Sequence, residues 1–492
     1  MKNKRSLFVL PIIFIVFFLS ILSAEEAKKE NLYPPPSVTK HSIQIGEKTL
    51  DYTATAGTLP LRENRKTTAH VFYIAYTKDG VQDKSERPIL FSFNGGPGSS
   101  SVWLHMGFLG PRRVLYDEKG FALPPPYKLV DNEYSILDTA DIVFIDPVGT
   151  GYSRMVPGKD KHKYHGVMQD IQSVAEFIRL YISRNERWES PKFIIGESYG
   201  TTRASGLVGY LQSRHNMYFN GVILVSMTEL GVNAGKDLNN YMLKLPHYAA
   251  TAWYHKQLSP EFQKMDLKEL LNEVEEFAMN EYILALVQGN RLSPEKRNQI
   301  ASRLARYTGL SVDFIKNSNL RIDKRRFRKE LLRDENRTVG RLDSRYKGID
   351  KDASGERQEY DPAMAHWSGG FTGALNQYIR EELKYKTDLN YHIFGDVRPW
   401  KGRDEVQVGE MLRRALTQNE YLQVFVLEGY YDAACDYFTA QYTFSHLDLN
   451  GELKDRIHFG FYKSGHMMYI HKPSLIKGKK DIASFINKAV QD

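Results

Sequence analysis

The sequence predicts an α/β fold: a mostly parallel central sheet with helices on both faces, interrupted by a mainly helical insertion. Three observations lead there. The runs Pro88–Phe93, Asp141–Asp146, Lys192–Ile195 and Gly221–Val225 are short and continuously apolar at their centres, the pattern of strands buried on both faces. Amphipathic helical spacing follows two of them, through Ile171, Val174, Phe177, Ile178 and Tyr181, and again over 201–211. From about residue 230 to about 400 this rhythm stops, charge increases and the pattern turns helical. Buried-strand runs return only at Gln423–Leu427 and Ile457–Phe461.

Taken in order, the chain opens with Lys2, Lys4 and Arg5 ahead of an apolar run from Leu7 to Leu22 and the small pair Ser23-Ala24, an export-signal pattern. The mature chain is expected to begin near Glu25. Leu22 is large for the position three before the cut, so the alternative is an uncleaved anchor. A link containing Tyr33-Pro34-Pro35-Pro36 leads to alternating, β-branched stretches at 41–55 and 69–77, a hairpin or meander. The expected organisation is a signal peptide over 1–24, a first core part over 25–230, a helical cap over 231–400 and a second core part over 401–492.

Composition narrows the function. Of 492 residues, 42% are hydrophobic and 26% charged, so the chain can bury a large core, and one cysteine, Cys435, excludes a disulfide scaffold. That count in an exported protein suits a periplasmic or extracellular bacterial setting. The net charge of +8 is concentrated between Arg321 and Lys347, where eleven Lys/Arg face five Asp/Glu. Acids are interleaved there and only Phe327 and Tyr346 offer stacking rings, so a solvated helical face is expected and a nucleic-acid partner is not.

Chemistry gathers at three strand ends. Gly196-Glu197-Ser198-Tyr199-Gly200 has the form G-x-S-x-G between a predicted strand and a predicted helix, where a sharp turn lifts a serine above the sheet. A serine hydroxyl needs a base to take its proton and a carboxylate to orient that base. On such a sheet the order is serine, acid, histidine. Asp432, after the strand ending at Leu427, and His466, after the strand at 457–461, fit best. Glu428 lies too near its strand end, Asp436 starts a helix, His458 lies within a strand, and His446 and His471 fall in or near helices. His162, His165 and Asp170 lack metal-ligand spacing, and no phosphate loop or dinucleotide fingerprint is present, so neither metal nor cofactor is expected. Cys435 could line the site or simply pack, and the same holds for Tyr241, Tyr248, Trp253 and Tyr254 in the insertion.

With Asn94-Gly-Gly-Pro-Gly-Ser-Ser100, Asp146-Pro-Val-Gly-Thr-Gly-Tyr-Ser153, Gly196-Glu-Ser-Tyr199, Gly429-Tyr-Tyr-Asp432 and Gly465-His-Met467 together, the chain resembles the serine carboxypeptidase family of the α/β-hydrolase fold, in a bacterial-type branch. The resemblance implies Ser198 as nucleophile, His466 as base and Asp432 as its partner. It implies an oxyanion hole from the backbone amides of Gly96 and Tyr199, and Asn94, Gly95 and Glu197 as holders of a substrate's terminal carboxylate. Three positions depart from the family pattern. Ser99 replaces a common cysteine, Gly200 replaces alanine, and Phe108 stands where a glutamate normally pairs with the one preceding the nucleophile. The expected partner is a peptide or protein C-terminus, with no stable membrane association after signal cleavage and an open oligomeric state. An esterase or acyltransferase with the same triad, and a non-catalytic binding protein on this scaffold, are the alternatives.

Overall fold

Ten strands join in one sheet in a computed structural model that describes residues 32–158, 160–232, 237–402 and 405–491. The expected signal segment at 1–24 lies outside the described residues. β1 (Ser37–Ile45), β2 (Lys48–Glu63) and β3 (Lys66–Lys78) form an antiparallel meander, as the alternating pattern predicts. β3 also pairs antiparallel with β5 (Asp141–Ile145) and with the two-residue strand Arg154–Met155. Beyond β5 every neighbour is parallel: β4 (Ile89–Phe93), β6 (Lys192–Glu197), β7 (Gly221–Val225), β8 (Gln423–Gly429) and β9 (Ile457–Tyr462). The crossovers place consecutive strand ends side by side at the carboxyl edge of the sheet, where open α/β sheets bind ligands.

Apolar residues on both faces of these strands explain their continuous runs. Leu90, Ile142, Phe193, Ile223 and Phe425 enter one core cluster, whereas Ile89, Val143, Ile194, Val222 and Val424 enter another. The second is covered by α1 (Val167–Arg184) and α2 (Tyr199–His215), whose Val174, Phe177, Ala204 and Leu207 are buried. The first is covered from 342–391, including Trp367, Phe371 and Tyr378, and from the C-terminal helix by Phe485 and Ile486. A third cluster gathers apolar residues between Met242 and Val339 with Tyr431, Tyr437 and Phe438. Tyr248 packs there, stacked on Phe327 with ring centroids 4.1 Å apart, and Tyr241, Trp253 and Tyr254 lie against the same cluster.

The basic segment departs from expectation. Arg325 and Arg326 are exposed, but Arg328, Lys329 and Arg345 are buried, so the segment is not one solvated face. Two of these charges are met inside the fold, where Lys329 Nζ lies 2.5 Å from Asp350 Oδ2 and Arg345 Nη2 lies 2.6 Å from Asp343 Oδ2, while Arg328 Nε donates to the neutral Gln358 Oε1 at 2.6 Å. Among the described residues no helix is long and apolar enough to cross a membrane.

Candidate active site

Ser198 stands between the end of β6 and the first turn of α2, with φ 58° and ψ −127°. A side chain there costs of order 1–3 kcal/mol and persists only where surrounding contacts enforce it. Those contacts are visible. Ser198 N–H donates to Val225 O at the end of β7, and both Thr201 N–H and its hydroxyl donate to Ser198 O. A Cβ on Gly196 would come within 2.2 Å of Gly200 O, and one on Gly95 within 2.4 Å of Tyr199 N. Only glycines let the two chain segments approach so closely. Gly96, at φ +101°, lies beside the serine and lines the same cavity as Ser198 and Tyr199.

Two and three strands further along the sheet, after β8 and β9, the other groups converge. His466 Nδ1 lies 2.6 Å from Asp432 Oδ2, both buried. Asp432 Oδ1 accepts from Ala434 N–H at 2.7 Å and Cys435 N–H at 3.1 Å, which fixes the carboxylate plane. An ionised carboxylate only accepts, so the imidazole donates from Nδ1 and presents Nε2 as a base. Burial pulls the His466 imidazole down, but the Asp432 charge, its hydrogen bond and Glu197 together hold it above its ordinary value. Ser226 Oγ donates to His466 O at 2.7 Å, tying the histidine loop to the residue after β7 and so to the strand beside Ser198. Among the described residues no hydrogen bond joins Ser198 Oγ to His466; such contacts commonly tighten only with substrate bound.

A segment outside the core strands holds both loops. His466 N–H donates to Leu342 O, Gly465 N–H to Asp343 Oδ2, Ala433 N–H to Arg341 O, and Ser344 N–H to Tyr431 O. The Asp343–Arg345 pair inside this clip also reaches Ser464, whose Oγ lies 2.9 Å from Arg345 Nη2. No motif marks residues 341–345 in the sequence, because their role lies in contacts to residues about 90 to 120 positions away.

Glu197 is buried beside this pair. Asn94 Nδ2 donates to its Oε1 at 2.9 Å and the Tyr469 hydroxyl donates to its Oε2 at 2.6 Å. Burial pushes the Glu197 carboxyl up to about 7, against the lowering effects of His466, Tyr469 and Asn94. Phe108 does not replace the family glutamate as a partner; it stacks on Tyr469 with ring centroids 5.1 Å apart, and the Tyr469 hydroxyl takes the carboxylate instead. Sequence reasoning missed Tyr469, although it follows His466 by only three positions.

Donor atoms of Asp432, Cys435 and His466 all lie within 4.8 Å of one another. Burial, with Asp432 and Glu428 nearby, holds the Cys435 thiol well above its ordinary value, in the neutral form that ligates metals poorly. Cys435 instead lines a cavity of about 300 Å³ that opens on Ser198.

The serine carboxypeptidase family model matches residues 46–470 of this chain. The chain belongs to that family. Serine carboxypeptidase-like 29 of Arabidopsis thaliana is 32% identical over 124 residues, 25% of this chain and 24% of the relative. The pheromone-processing carboxypeptidase KEX1 of Saccharomyces cerevisiae is 32% identical over 156 residues, 29% of this chain and 20% of the relative. Those matches therefore span about a fifth to a quarter of each relative's length. The crystal structure of the Saccharomyces KEX1 prohormone-processing carboxypeptidase aligns with a TM-score of 0.55 at 17% identity, over 89% of this chain and 91% of that one. It shares the fold.

Proposed function

We propose that this chain is an exported serine carboxypeptidase that removes C-terminal residues through an acyl-enzyme, without metal or cofactor. The observation that carries the reading is the juxtaposition at the sheet edge: a serine held at positive φ beside Gly96, with a buried Asp432–His466 pair on the next loops. Ser198 Oγ attacks the scissile carbonyl as His466 Nε2 takes its proton, and the amides of Gly96 and Tyr199 stabilise the oxyanion. The same proton passes to the leaving amine. Water then repeats the cycle on the acyl-enzyme and frees Ser198.

The leaving residue must sit against His466 to be protonated, which brings its terminal carboxylate toward Asn94, Gly95 and Glu197. A Glu197 carboxyl that is half protonated near pH 7 can face a carboxylate without two full charges meeting. Residues 231–400 would act as a cap, with the 242–339 cluster over the site and 342–391 rooted in the main core. One cysteine and the leader pattern support a disulfide-free, bacterial-type enzyme exported to the periplasm or beyond. Mass spectrometry of a peptide library after incubation tests the reading. Stepwise loss of C-terminal residues is expected, and internal cleavage, or turnover of esters with intact peptides, would overturn it.

A further inference from the structure

The cavity beside Ser198 is lined by three cations, Lys244, Lys324 and Arg341, and two acids, Glu229 and Asp436. These do not cancel in place. Lys244 Nζ lies 2.6 Å from Asp436 Oδ2, both buried, and Thr439 completes that pair. Lys324 and Arg341 are left with no hydrogen bond or ion pair from their side chains among the described residues. Lys324 is half-buried and Arg341 is exposed, so both can be reached from the cavity. Burial and the charges of Lys244 and Arg341 together hold the Lys324 ammonium below its ordinary value, with Asp436 opposing. A carboxylate arriving there would offset repulsion that Asp436, already bound to Lys244, compensates only in part.

The side of the reaction this cavity serves follows from its walls. It touches Ser198 and the oxyanion donors Gly96 and Tyr199, along with Ala434 and Cys435, but not His466, Asn94, Glu197 or Tyr469. A leaving amine must lie against His466, so a chamber without His466 receives the other half of the substrate, the residue whose carbonyl is attacked.

We propose that Lys324 and Arg341 select substrates with an acidic side chain, aspartate or glutamate, at the penultimate position. The inference rests on the carboxypeptidase reading for the substrate's polarity, but the pocket can be tested apart from it. Peptides differing only in a penultimate Glu, Gln or Lys, and N-acylated Glu and Gln ethyl esters, are compared by kcat/KM. The expected preference for Glu over Gln is at least about tenfold in both series. Lys324→Glu and Arg341→Glu should each bring the ratio toward one or below and raise use of the Lys peptide, while Lys324→Arg should keep it. Peptide trimming without a Glu preference, or a preference that survives both reversals, overturns the pocket assignment alone. Glu-selective ester cleavage with untouched peptides leaves the pocket standing and overturns the carboxypeptidase reading. No turnover in either series overturns both.

Discussion

Strain at Ser198 and proton placement at Glu197 carry the consequences for single side chains. On the proposed mechanism the serine, the Asp432–His466 pair and the oxyanion amides act as a unit, so Ser198→Ala and His466→Ala should each lower kcat by several orders of magnitude, and the double change should add little. Asp432→Asn should fold yet lose activity, because an amide can donate to Nδ1 and stabilise the wrong tautomer. Near-full activity in any of these variants would remove that residue from the mechanism. Glu197 sets the pH dependence of substrate binding. Its carboxyl sits near 7, so the form able to accept a substrate carboxylate is lost as pH rises through that value, and kcat/KM for free-acid peptides should fall. Tyr469 lowers the Glu197 value by its hydrogen bond, so Tyr469→Phe should move that fall to higher pH. Glu197→Gln should flatten it, and amidated peptides should show neither change. A Tyr469→Phe profile identical to the parent, or shifted down, would sink this account. The glycine-rich turn and the three strand-end residues were legible in the sequence because each obeys a local rule. Tyr469 was not, since its value lies in where a hydroxyl on a buried ring points.

Buried parallel strands are apolar on both faces, which is why Ile89–Phe93, Asp141–Ile145, Lys192–Glu197 and Gly221–Val225 could be read directly as elements. The clip at 341–345 shows the opposite case. It carries neither helix nor strand, and the charge count around it suggested a solvated face, yet Asp343 and Arg345 are buried together under the histidine loop. Composition reports charge without reporting partners, and these partners are supplied by Gly465, Ser464 and the backbone of the acid loop. Removing the charge from Asp343 should leave Arg345 buried and unpaired, a loss of roughly 3–5 kcal/mol in urea unfolding of Asp343→Asn. The folded fraction should also label more slowly with a fluorophosphonate at Ser198, because the His466 loop loses its bond from Gly465. A stability change below about 1 kcal/mol would mean the pair is already well solvated. Parent-like labelling would mean that the clip does not position the base.

Ser198 and the Asp432–His466 pair lie on chain segments more than two hundred positions apart, and the sheet brings their strand ends together through parallel pairing of β6 with β7, of β7 with β8, Gly221 with Gln423 through Val225 with Leu427, and of β8 with β9. This makes the integrity of the site a property of the sheet rather than of chain continuity. The stretch 349–361 carries neither helix nor strand, and Lys351 and Arg357 within it are exposed, so trypsin should cut there first. That nick divides the nucleophile and the clip from Asp432 and His466. The fragments should nevertheless stay together, since Trp367 and Phe371 are buried in the main core, with Phe371 packed 4.8 Å from Trp103 between ring centroids, and β7 and β8 lie on opposite sides of the cut. Nicked protein should therefore elute at the mass of the intact chain, label at Ser198, and unfold at a lower temperature, because the unfolded state now gains the freedom of two chains. Loss of labelling at the rate of the first cut would show that the loop, and not the sheet, holds the two halves of the site in register. A first cut within 190–225 would contradict the proposed division of the chain.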